Sequence, residues 1–123
     1  MADARRLIAL CCMSLLLTIS AANADQLTVA DLYSFCTSKD VSVHNSCKFY
    51  ILGIFEGVQV ASGVLNDKTH FCVPEQLSSS AMELVVRKDM GADLAVYPDD
   101  GKLPAASFVT GVIAKEFSCA RAK

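Results

Sequence analysis

A chain of 123 residues is long enough for one domain and too short for two full-sized ones. Its 11 basic and 13 acidic residues leave a formal net charge of −2 with no basic cluster, which excludes nucleic acid and anionic membrane surfaces as expected partners. Hydrophobic residues make up 53% of the chain, and part of that excess sits at its N-terminus.

Residues 1–24 read as a secretory signal peptide. Arg5 and Arg6 supply a short positive region, and residues 7–19 form an apolar run broken only by Ser14 and Thr18. Ala22, Asn23 and Ala24 give the small-x-small pattern that places cleavage after Ala24. The run of 13 residues is short of the ~20 needed to cross a hydrocarbon core, so no stable membrane insertion is expected after cleavage. Cys11 and Cys12 lie inside the run and not at the cut, which argues against lipid attachment. Removing 24 residues leaves 25–123 as the domain, 99 residues with 9 basic and 12 acidic side chains and a net charge of −3. A domain of this size often needs covalent help, and four of the six cysteines remain to give it: Cys36, Cys47, Cys72 and Cys119. An even number in an exported domain points to two disulfides.

The spacing predicts four helices and an all-α, bundle-like or orthogonal domain. Thr28 caps the first helix with Asp31 in capping-box position, and Leu32, Phe35 and Cys36 share one face. Residues 38–45 are polar and read as a loop. Asn45 or Ser46 is expected to cap the second helix, which runs to about Leu65 with Cys47, Tyr50, Ile51, Ile54, Val58, Ala61 and Leu65 on a buried stripe. Phe49, Leu52, Phe55 and Val60 lie off that stripe, so this helix is apolar nearly all round and belongs in the middle of a core or under a partner. Gly53 and Gly57 form a small-xxx-small pair that serves either internal helix packing or a homodimer seam.

Residues 66–68 read as a turn, and Pro74 suits the approach to a third helix. Ser80 with Glu83 has capping-box spacing, but Ser78 is an equal candidate for the cap. Met82, Val85, Val86 and Met90 make the inner face of this helix, which is expected to end near Met90. Residues 91–103, with Gly91, Asp93, Pro98, Asp99, Asp100 and Gly101, read as a loop long enough to suggest a function of its own. Pro104 then opens a fourth helix from its first turn, with Phe108, Val109, Val112, Ile113 and Phe117 facing inward.

Four cysteines admit three pairings. Successive helices joined by short connections run antiparallel, which brings the end of helix one (Cys36) to the start of helix two (Cys47). The same geometry brings the approach to helix three (Cys72) to the end of helix four (Cys119). Topology thus favours Cys36–Cys47 and Cys72–Cys119, which would contribute about 3 and about 4 kcal/mol by loop closure. A Cys36–Cys72 or Cys36–Cys119 bridge stays open.

Little in the sequence supports catalysis. His44 and His70 each lie near cysteines, but export favours oxidised thiols over a thiolate–imidazole pair. A zinc site from Cys36, His44, Cys47, His70 and Cys72 lacks any C-x-x-C spacing. Glu56 marks the wet edge of its helix, and Asp99 and Asp100 before Gly101 read as a turn. No phosphate cradle, serine elbow or H-E-x-x-H motif occurs, so neither an enzyme nor a cofactor is expected.

Four segments occur in order: LYSFC at 32–36, SCKFYILGIFEGV at 46–58, FCVPE at 71–75 and AASFVTGVIAKEFSC at 105–119. Together they resemble the Rap/Tai family of immunity proteins associated with type VI secretion. The most specific element is the cysteine-valine-proline-glutamate step. Next comes the aromatic-x-cysteine ending, where Ser118 replaces the family's usual proline. The resemblance implies a small all-helical periplasmic protein, often a homodimer, that binds and blocks a secreted peptidoglycan amidase. It also implies that the loop between helices three and four plugs the toxin's cleft. Here Asp93, Tyr97, Asp99, Asp100 and Lys102 would form that toxin-binding loop. The same profile also fits a small disulfide-bonded periplasmic stress protein or chaperone, and an accessory subunit of an envelope complex.

Overall fold

The computed structural model describes residues 26–64, 72, 74 and 76–119, with the side chains of 63 and 64 excepted. The segments read as a signal peptide (1–24) and as a turn (66–68), together with Leu65 and His70, lie outside the described residues. Among those described, the chain forms four α-helices: α1 (Val29–Cys36), α2 (Val41–Val64), α3 (Ser79–Val96) and α4 (Ala105–Glu116). A short 3-10 helix, Pro98–Lys102, joins α3 to α4. No helix among the described residues is long and apolar enough to cross a membrane.

Three of the four described helices begin at a side chain that accepts from the free amides at the N-terminus, and α4 begins at Pro104 without one. At α1 the expected capping box forms: the Asp31 amide donates to Thr28 Oγ1 at 3.2 Å and the Thr28 amide to Asp31 Oδ2 at 3.2 Å. α2 starts earlier than its sequence suggests. Asp40 Oδ1 accepts from the amides of Ser42 (2.8 Å) and Val43 (3.3 Å), so the segment read as a loop up to residue 45 is helical from Val41. Neither Asn45 nor Ser46 is the cap; both sit on the exposed side of the first turns. At α3 the cap is Ser78, whose Oγ accepts from the Ala81 amide at 3.1 Å. The Ser80–Glu83 box is not used. Pro74 lies in a turn ahead of the helix, its carbonyl accepting from the Leu77 amide at 3.1 Å.

The largest departure is at the end of α3. The helix passes through Met90 and Gly91 and continues to Val96, so residues 91–96 are not loop. Gly91 ordinarily suggests a helix end, but here its bare Cα lets the Tyr33 ring close on the helix, and a Cβ would meet the Tyr33 hydroxyl oxygen at 3.0 Å. α4 opens one residue later than expected, with Pro104 as its N-cap and not in its first turn.

The core is one cluster drawn from all four helices: Val29, Leu32 and Cys36; Cys47, Ile51 and Phe55; Met82, Val86 and Met90; Ala105, Val109, Val112 and Ile113. Two disulfides close it. Cys36 and Cys47 are bonded with their Cα atoms 5.1 Å apart, and Cys72 and Cys119 with theirs 4.7 Å apart. Topology gave these pairs on a premise that needs correcting, because Cys47 lies in the second turn of α2 and not at its start. The short link between α1 and α2 lets α2 double back along α1, and the bridge joins the end of one to the flank of the other. Cys72 is also held through its amide, which donates to the Phe117 carbonyl at 2.7 Å.

α2 buries only one side. Phe49 and Val60 are 71% and 66% exposed, and Gly53 and Gly57 lie on the same outward stripe. Among the described residues no atom comes within 4 Å of a Cβ built on either glycine, so the pair takes no part in the packing of those residues.

Candidate functional site

The end of the molecule formed by the α3–α4 connection is built from the backbone outward. α3 closes when the Tyr97 amide donates to the Asp93 carbonyl at 2.7 Å. Pro98 has the φ needed to start the 3-10 turn, whose Asp100 and Leu103 amides donate to the carbonyls of Tyr97 and Asp100, each at 3.0 Å. Gly101 is fully covered at the base of this tip. A Cβ there would lie 3.2 Å from Ala30 Cβ and 3.4 Å from Leu94 Cδ2, so glycine lets the turn sit closely on α1 and α3.

The N-terminal segment clamps the tip from the other side. The Val29 amide donates to the Leu103 carbonyl and the Ala105 amide to the Leu27 carbonyl, both at 2.9 Å, around an antiparallel bridge between Thr28 and Pro104. Tyr97, Asp99 and Lys102 are thereby presented to solvent on a backbone fixed at both ends. Lys102 Nζ reaches Asp99 Oδ1 at 2.7 Å, but both side chains are more than four-fifths exposed, and such a pair adds little to stability. Asp100 is half-buried beside them.

Asp93 departs from this group. It lies on α3, one turn before the tip, and faces a groove of about 490 Å³ between α3 and α4. Ala92, Val96, Tyr97, Phe108, Gly111 and Val112 supply most of its wall. At its far end Lys115 Nζ bonds Asp89 Oδ2 at 2.9 Å. The Asp89 carboxylate first, then that of Glu116, holds the Lys115 ammonium above its ordinary pKa. Asp93 Oδ2 is buried in the groove and has no hydrogen-bond partner among the described residues. Of the five loop residues expected to act together, four share the tip, and Tyr97 alone belongs to both tip and groove.

A second polar cluster lies beside the Cys36–Cys47 bridge. Glu83 is 4% exposed; its Oε1 accepts from Arg87 Nε at 2.7 Å, and its Oε2 lies 3.9 Å from His44 Nε2. The Sγ atoms of Cys36 and Cys47 come within 4.8 Å of a Glu83 oxygen, a spacing that suits a metal ion. Both sulfurs are spent on the disulfide, so this set offers no thiolate ligand. Sequence reading missed Glu83 as a buried anion. The one available signal was Arg87 four residues on, the helical spacing of an ion pair. Glu56 is exposed, as expected for a wet edge.

A family model described as Rap1a immunity proteins matches residues 28–119, well over half of the chain and all of the four-helix domain. No curated protein and no solved structure matches the chain.

Proposed function

We propose that this chain, which belongs to the Rap1a immunity protein family, binds and neutralises a secreted toxin without catalysing a reaction of its own. The family match across the whole helical domain carries this reading. The tip at Pro98–Lys102 is its binding element, because a turn held by backbone bonds at both ends loses little conformational freedom when it enters a cleft. Asp99 and Asp100 complement a basic cleft rim and speed encounter. Tyr97, 60% exposed, supplies the aromatic anchor expected at the centre of such contacts.

The toxin we propose is a peptidoglycan amidase delivered by type VI secretion, the target class to which the Rap/Tai resemblance points. The protein meets it in the periplasm, after export and cleavage following Ala24; two disulfides suit that oxidising compartment. The outward stripe of α2, with Gly53 and Gly57 between Phe49 and Val60, is the surface on which two copies would pair.

Affinity capture from envelope extract tests the reading. One stoichiometric cell-wall hydrolase, released by the Asp99→Ala/Asp100→Ala variant, is the expected result. Capture of many unrelated proteins would favour a chaperone, and capture of none would contradict toxin binding.

A further inference from the structure

We infer that the groove between α3 and α4 is a receptor for one arginine side chain, with Asp93 as its acceptor. A carboxylate oxygen removed from solvent and left without a hydrogen bond is costly, and native structures rarely tolerate one that no partner ever fills. Asp93 Oδ2 is such an oxygen; it is itself covered, but its residue lines an open groove, so a turn of the carboxylate can present it there. The wall chemistry specifies what fits. Ala92, Val96 and Val112 supply apolar wall for an aliphatic stem, and Tyr97 and Phe108 add aromatic rings of the kind a flat cation stacks on. Gly111 leaves the channel open, since no described atom lies within 4 Å of a Cβ built there. The other charges on the groove, Asp89 and Lys115, already satisfy each other at 2.9 Å and leave Asp93 as the uncommitted anion. A guanidinium on three methylenes matches this combination better than any neutral or acidic group, because it stacks and donates in one plane.

The donor of that arginine is the bound toxin, an assignment that rests on the reading above; Tyr97 joins the groove to the tip, so one partner can occupy both. The groove's own preference is independent of the toxin and is tested without it. The oxidised protein is titrated with N-acetyl-arginine amide and, separately, with its neutral isostere N-acetyl-citrulline amide, while backbone amide resonances are followed by NMR. Saturable shifts confined to residues around Asp93, Val96, Gly111 and Lys115 are expected with the arginine probe, and citrulline should bind about tenfold more weakly or not at all. Asp93→Asn should lose the same factor. Gly111→Leu, which fills the channel and leaves the carboxylate in place, should abolish the response in a protein whose spectrum is otherwise dispersed. Equal shifts with both probes, an unchanged response in Asp93→Asn, or no shifts in the groove would each overturn the inference. None of these results bears on whether a toxin is captured.

Discussion

Thr28 and Asp31 satisfy each other at the head of α1, and the Thr28 hydroxyl and amide hold the Asp31 carboxyl below its ordinary value of 3.8. Asp40 is held down in the same direction, chiefly by the Ser42 hydroxyl and then by the amides of Ser42 and Val43. Folded carboxyls that bind protons less readily than unfolded ones contribute stability that is complete above the unfolded value and is lost as pH falls through the folded one. An Asp31→Asn variant should therefore melt below the parent at neutral pH, with the gap closing as the pH drops below 3.8; a gap independent of pH would contradict the linkage. Gly101 makes a different kind of demand, for space. Gly101→Ala sets a methyl 3.2 Å from Ala30 Cβ, which has no flexible end to yield, although the Leu94 methyl at 3.4 Å can turn aside, and should cost about 1–3 kcal/mol in thermal or denaturant unfolding. At Glu83 the two partners are unequal. Arg87→Ala strands a buried carboxylate and should cost about 2 kcal/mol, more than Glu83→Gln, which removes the charge itself. Equal losses would mean that the ion pair is immaterial.

At the scale of elements, caps written by neighbours in sequence were readable and contacts made across the fold were not. The Thr28–Asp31 box and the inward faces of α1, α3 and α4 follow from local spacing, and the structure reproduces them; on α2 Phe55, expected off the buried stripe, joins the core, and Ala61, expected on it, is exposed. The start of α2 was hidden because Asp40, Ser42 and Asn45 look like a polar connection, when Asp40 is in fact the cap. The length of α3 was hidden because Gly91 looks like a stop; the Tyr33 ring that closes on it comes from another helix. Asp93 was placed in the loop for the same reason, and its position in a groove is a tertiary fact that no window of sequence contains. The disulfides also act at this scale. Cys36 and Cys47 close a separation of 11 residues and Cys72 and Cys119 one of 47, worth about 3 and about 4 kcal/mol by chain entropy. Replacing each pair with serine should lower stability in that order, with the Cys72–Cys119 double variant the weaker; the reverse order would show that burial of Cys36 and Cys47 outweighs loop length.

Taken whole, the molecule is a small helical core with one clamped tip and one groove at the same end. The four described helices share a single cluster of buried side chains, and a domain of this size has little apolar area to spare. On the proposed function the covalent ties matter because the tip is only as rigid as the helices beneath it. Cys119 anchors the end of α4, whose first residue, Ala105, is bonded to Leu27, and Cys36 anchors the end of α1, whose first residue, Val29, is bonded to Leu103. Both helices that clamp the tip are thus tied at their far ends. Such a design requires oxidation, which the proposed export to an oxidising compartment would supply. Intact-mass measurement of protein recovered from the cell envelope tests this most directly. A chain that begins at Asp25 and lacks four hydrogens relative to its reduced form is the expected result; one that keeps residues 1–24, or carries four free thiols, would contradict it.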